Sequence, residues 1–178
     1  MFIMDYTYLL ALTTFAFVGA FTPGPNNIML MTSGANVGFV RTIPHMLGVI
    51  FGFAFMLVLV GFGLVQIFHT YPQLEKGLQV VSAIYLLYLA YKIARSTDTL
   101  ESDVASPITF WQAVLFQWVN PKAWMMATGA VATFTTADGN IYLQVLAIAL
   151  TFFAVSLPCI GTWLLGGLAL KRLFNSTK

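Results

Sequence analysis

Phe21-Thr22-Pro23-Gly24-Pro25-Asn26-Asn27 interrupts an apolar run that begins at Tyr6. Two prolines so close together cannot both sit inside one helix. Each lacks an N–H, and each ring collides with the carbonyl one turn back. In hydrocarbon a freed backbone group is costly unless something polar meets it. A membrane helix therefore keeps such a break only where it is buried in protein or lines a wet cavity. Many transporters build a binding site near mid-membrane from helices broken in this way. The stretch predicts a membrane helix in two halves with a polar site at the join.

The composition agrees with a membrane setting. Of 178 residues, 59% are hydrophobic and 8% charged, against about a quarter charged in a soluble domain. The net charge of +2 gives no argument for a nucleic-acid partner. The single cysteine, Cys159, allows neither an internal disulfide nor a cysteine-based metal site, and no cofactor is implied. The N-terminus lacks the basic region and early cleavage site of a signal peptide, so the first apolar run reads as a retained span.

Charge-free intervals mark the remaining spans. With about 20 apolar residues needed per crossing, five helices are expected, at roughly 6–32, 43–67, 74–93, 108–134 and 141–170. Six of the eight lysines and arginines (Arg41, Lys92, Arg95, Lys171, Arg172 and Lys178) fall on one side of this layout, and Lys76 falls on the other. The rich side is expected to be cytoplasmic and the N-terminus outside. Tyr6, Tyr8, Tyr71 and Tyr142 then sit at outer helix ends, and Tyr88 and Tyr91 at an inner one.

The longest loop, about 94–107, divides the chain after its third helix. The fourth helix carries its own break, Asn120-Pro121-Lys122. Helices 1 and 4 are thus both proline-interrupted and enter the membrane from opposite sides, the trace of an inverted three-helix repeat. The expected fold is an all-α polytopic membrane bundle. It forms one transmembrane domain over 1–178, with repeat one at about 6–93 and repeat two at about 108–170. Five spans are visible of an expected six, and the reading favours a truncated chain over a naturally short second half.

The candidate substrate-binding residues gather at the two breaks. Pro23, Gly24 and Pro25 free backbone groups, and Asn26 and Asn27 place amides beside them. The half-helix starting there presents N–H groups and a positive dipole end suited to a carboxylate. Lys122 is the one ionisable group deep in a span, where a charge is functional by default. With no carboxylate in any span, its partner must be carbonyls, water or an anionic substrate group, and a desolvated lysine could also exchange a proton. Asn120 either satisfies the backbone around Pro121 or faces Asn26 or Asn27 across the repeat axis.

Other features carry less. His45, after Pro44, reads as an interfacial residue rather than a proton-handling one. Gly48 with Gly52, and Gly34 with Gly38, read as helix packing. Pro158 and Gly161 are expected to bend the fifth helix. Tryptophans and phenylalanines read as lipid-facing or packing residues.

Phe21–Asn27 together with Phe116-Gln-Trp-Val-Asn-Pro-Lys-Ala123 resembles the paired signatures of the LysE/RhtB superfamily of amino-acid exporters, as does Gly38-Phe-Val-Arg41 leading to Gly48. The likeness runs from residue 6 to about 174 and looks closest to the neutral amino-acid branch, which includes homoserine, threonine and cysteine/O-acetylserine exporters. It implies a bacterial inner-membrane protein of about six helices that exports amino acids by the proton-motive force. By position, Pro23, Gly24, Pro25 and Asn26 match the first signature, and Asn120, Pro121 and Lys122 the second. The missing sixth helix is the departure.

The expected function is therefore a secondary transporter, not an enzyme, that exports small amino acids. Its partners would be the amino acid, protons as coupling ion and the bilayer, with a homodimer as an open alternative. The competing reading is a truncated, non-transporting or accessory membrane subunit. A thiol-relaying oxidoreductase would need at least two cysteines. A passive channel would be indifferent to a proton gradient. An ATP-driven pump lacks its phosphate-binding loop.

Overall fold

The computed structural model describes residues 5–95, 107–137 and 139–175. These residues form helices and no strands. Helix α1 spans Tyr6–Phe21 and α2 Pro25–Val37, the two halves of the first span, bent by 55° at the break. Helix α3 spans Phe39–Leu59. It continues through a π-helical turn, Val60–Leu64, into α4, Val65–Thr70. Helix α5 is Pro72–Arg95. The fourth span is α6, Phe110–Val119, and α7, Pro121–Phe134, parted at Asn120. Helix α8 runs Ile141–Asn175 as one helix through Pro158. Among the described residues, Phe39–Thr70 and Ile141–Leu173 are each long and apolar enough to cross a membrane, and the bent pair α1–α2, taken as one span, passes the same test.

Local chemistry sets the starts of these helices. Asp5 caps α1, accepting from the Tyr8 N–H at 2.7 Å. Thr109 and Gln112 form a reciprocal capping box at α6. Pro25 and Pro121 each stand at a first helical position, where a missing N–H costs nothing. The chain between α7 and α8 is pinned by Gln144, which accepts from the Thr136 N–H and donates back to its carbonyl.

The bundle exchanges partners between its halves. The first half of span one, α1, packs on α8, and the first half of span four, α6, packs on α3. Helix α8 also lies along α2 and α3. One buried apolar cluster includes Leu12, Phe53, Met56, Ala127 and Phe152, and a second holds Leu30, Val49, Ile50, Ala113 and Ile160. Many large apolar side chains, Leu10, Phe55, Leu115 and Leu150 among them, point outward, as lipid contact requires.

Glycines set the closest approaches. A Cβ on Gly52 would stand 2.8 Å from the Val114 Cα, and one on Gly34 2.6 Å from the Leu164 carbonyl oxygen. A Cβ on Gly48 would overlap the Phe110 carbonyl oxygen, and one on Gly167 that of Met31. The packing role read for Gly48, Gly52 and Gly34 therefore holds, whereas Gly38, where a Cβ would meet nothing within 4 Å, serves a turn instead.

Two expectations need correction. The second helix starts at Phe39 rather than 43, because Gly38, at φ 86°, turns the chain in a single residue. Arg41 consequently lies within α3, not in a loop. The third helix, expected to be the shortest, runs to 24 residues and is the shortest of the five. The π-helical turn, with Gly63 at φ 102°, was not foreseen. The readings that fall on loop residues 96–106, on Asp138 and Lys178, and on the side chains of Tyr91, Lys92 and Arg95 lie outside what the structure describes.

Candidate functional site

A helix that stops at Phe21 strands the carbonyls of its last turn. Here every one from Val18 to Thr22 finds a donor. The Thr22 N–H donates to the Val18 carbonyl at 3.1 Å and the Thr22 hydroxyl to that of Gly19 at 3.3 Å. Asn27 Nδ2 donates to the carbonyls of Ala20 and Thr22, both at 2.8 Å. The Trp163 indole, from α8, donates to Phe21 at 3.0 Å. Lys122 Nζ, from α7, donates to the Thr22 carbonyl at 2.6 Å and to its hydroxyl oxygen at 2.9 Å. The cation of the second break thus rests on the backbone of the first.

The second break is held by the same devices. Asn120 Oδ1 accepts from the Lys122 N–H at 3.1 Å, capping α7. The Trp124 indole donates to the Trp118 carbonyl at 2.9 Å. Of the two roles open to Asn120, the structure gives it the cap. The place facing Asn26 across the bundle belongs to Gln117, fully buried. Asn26 Nδ2 donates to Gln117 Oε1 at 2.9 Å, and Gln117 Nε2 donates to Asn26 Oδ1 at 3.3 Å and to the Ala113 carbonyl at 2.9 Å.

These groups enclose a cavity of about 50 Å³ between the breaks, lined by Gly24, Asn26, Asn27, Gln117, Asn120 and Lys122, with Ser156 of α8 and apolar neighbours. Helix α2 has no side-chain cap, so the N–H groups of its first turn lie open at this join. A cation, uncapped N–H groups, amide oxygens and backbone carbonyls together suit a ligand carrying both a carboxylate and an ammonium. The volume admits a few waters, whereas ligand pockets usually reach hundreds of Å³. Loading a ligand requires the walls to part. A larger cavity of about 490 Å³ lies behind the second break, among Phe68, His69, Gln79, Trp124 and Thr128, and takes Pro121 in its wall.

Of the eight sequence candidates, Gly24, Asn26, Asn27, Asn120 and Lys122 line the smaller cavity and Pro121 the larger. Pro25 opens α2, and Pro23 lies in the break. Gln117, Trp163 and Trp124 were missed as site residues. A second glutamine in the apolar helix α6, a turn and more beyond the capping Gln112, was the available signal, because a buried amide demands a partner. The tryptophans gave none beyond their type. His45 also departs from expectation. Read as a plain residue at the start of its helix, it is 1% exposed, packed inside the bundle seven residues into α3.

Gly24 has a packing reason of its own. A Cβ there would lie 2.7 Å from Lys122 Cδ and 3.2 Å from Nζ. Gly24→Ala should therefore push the lysine off Thr22 and lower transport several-fold, by roughly the 1 kcal/mol a hydrogen bond contributes. The check is the initial transport rate at matched membrane levels; an unchanged rate would mean that the lysine's seat is immaterial.

A model of the LysE type translocator family matches residues 17–171, which include both breaks. The chain belongs to the LysE family. Among its LysE relatives are the cysteine/O-acetylserine efflux proteins of Escherichia coli strain K12 and Shigella sonnei strain Ss046. Each is 32% identical over 180 residues, covering 97% of this chain and 88% of the relative. The protein of the same description from Escherichia coli O139:H28 matches equally well. No solved structure matches the chain. LysE membership fits the helical membrane bundle and its paired breaks.

Proposed function

We propose that the protein exports small neutral amino acids or their derivatives, of the cysteine and O-acetylserine kind, across the bacterial inner membrane, driven by the proton-motive force. The observation that carries this reading is Lys122, which joins the two broken helices at a polar cavity beside the uncapped start of α2. The efflux role printed for the relatives supports it. The substrate residues proposed are Gly24, Asn26, Asn27, Asn120 and Lys122, with Pro23, Pro25 and Pro121 shaping the backbone and Gln117 added.

Binding in this scheme is an exchange. The substrate carboxylate draws Lys122 away from Thr22 and caps α2. The Thr22 carbonyl so released, with the amide oxygens of Asn26 and Gln117, meets the ammonium. The breaks loosen at the moment of loading, and the two repeats rock about the site. The orientation follows from the basic residues, with the Arg41 end of α3 cytoplasmic.

The test is uptake of labelled cysteine, O-acetylserine, homoserine, threonine and lysine into inside-out vesicles containing the protein, with and without a proton gradient. Gradient-dependent accumulation of the neutral compounds is expected. Absence of uptake in vesicles where the protein is inserted would overturn the reading, and equal flux with and without the gradient would make the protein a channel.

A further inference from the structure

His45 is the buried titratable group that the substrate site leaves unused. Its ring is 1% exposed, and Nδ1 lies 3.2 Å from Ser33 Oγ of α2. Nε2 is buried and makes no hydrogen bond among the described residues. A buried polar atom without a protein partner is uncommon and calls for an explanation.

The position of the pair is informative. Asn26, Leu30 and Ser33 are spaced four and three apart and share one face of α2, and His45, Val49 and Phe53 are likewise spaced four apart on α3. Asn26, Val49 and Phe53 line the central cavity. Leu30, Val49, Ile50, Ala113 and Ile160 form a dry cluster. The order along both helices is a polar cavity, an apolar layer, then Ser33 with His45, toward the end of α3 that carries exposed Arg41.

Among the described residues, the helices packed on α3 bring no carboxylate that would fix the ring as a permanent cation. Among the helices packed on α3, α2 and α6 carry no titratable group. Helix α7 carries Lys122, engaged with Thr22, and α8 carries Tyr142, Cys159, Lys171 and Arg172. Tyr142, Lys171 and Arg172 are exposed, and Cys159 is buried. On α3 itself only Arg41 joins His45.

We propose that His45 and Ser33 form the proton-transfer site that couples export to the gradient, placed behind the apolar layer that closes the cavity on the Arg41 side. The proposal rests on the exporter reading above. When the layer parts, a proton reaching Nε2 converts the ring to imidazolium, both nitrogens then being donors. Loss of the Nδ1 proton to the Ser33 hydroxyl, which releases its own proton onward, returns a neutral ring in the other tautomer, protonated on Nε2. Rotation of the ring with the hydroxyl must reset the pair before the next proton enters. Closure of Leu30 and Val49 around the path keeps protons from leaking between turnovers.

The experiment separates coupling from transport. Labelled O-acetylserine is followed in inside-out vesicles in two modes, gradient-driven accumulation and gradient-free exchange against unlabelled substrate. His45→Gln should lower accumulation about tenfold or more while exchange stays near wild type. Ser33→Ala should keep exchange and move the pH profile of accumulation. Normal accumulation by His45→Gln overturns the proposal. Loss of both modes in an inserted His45→Gln protein also overturns it, assigning His45 to structure. Should that variant fail to insert, an unmoved pH profile in Ser33→Ala overturns it. Wild-type protein with neither mode removes the exporter reading and this proposal with it, whereas wild-type transport with a silent His45 removes the proposal alone.

Discussion

Lys122→Gln is expected to lower export by at least about tenfold while leaving the protein inserted in the membrane. The lysine makes two contacts to Thr22, at 2.6 and 2.9 Å, across the join of two broken helices. A hydrogen bond from a charged group contributes about 1.5–3 kcal/mol, and each 1.4 kcal/mol is a factor of ten. Glutamine keeps an amide donor for the carbonyl, so the fold is preserved. It removes the cation that would draw the substrate carboxylate. Lys122→Arg keeps the charge and changes the head group's shape, so it should fall between the two. The measurement is the initial rate of substrate uptake into inside-out vesicles, normalised to inserted protein. A wild-type rate in Lys122→Gln would move the site elsewhere.

Gly167→Ala should produce the largest loss of stability of any single methyl added to the bundle. Its Cβ would fall on the Met31 carbonyl oxygen, and it would stand 3.1 Å from the backbone nitrogen of Ala35. The obstacle is the backbone of α2, which cannot rotate aside as a side chain can. Overpacking of this kind costs roughly 1–3 kcal/mol, and here it would pry α2 from α8, one of the closest pairs in the bundle. Gly166→Ala is the control, because a methyl there meets nothing within 4 Å. Thermal unfolding in detergent should show a clear drop in midpoint for Gly167→Ala and little change for Gly166→Ala. Equal midpoints would mean that the helices are not packed this tightly in the membrane.

The parts legible in the sequence were those set by local covalent chemistry. Prolines at 23, 25 and 121 state where helices must break, and charge-free runs state where they cross. The partners of Lys122 could be narrowed to carbonyls, water or an anionic substrate group because no carboxylate lies deep in a span. Which carbonyl it meets depends on how two helices a hundred residues apart come together, and pattern alone cannot supply that. Asn120 and Gln117 show the same limit. Both are amides near a break, and only the packing of α6 on α3 decides which of them reaches Asn26. The burial of His45 was hidden for a smaller reason: a one-residue turn at Gly38 folds α3 directly back on α2, and that contact with Ser33 leaves no mark in the pattern.

The donors that satisfy the first break have a consequence for biogenesis. Phe21 and Thr22 leave the ribosome early, yet their carbonyls are met by Trp163 and Lys122, residues 142 and 100 positions later in synthesis. Until those arrive, the nascent first span has exposed carbonyls that lipid cannot solvate. Only Asn27, six residues or fewer beyond them, is on hand from the start. The hairpin of early spans must therefore wait at a hydrated boundary, and the bundle locks shut from its C-terminal helix backward.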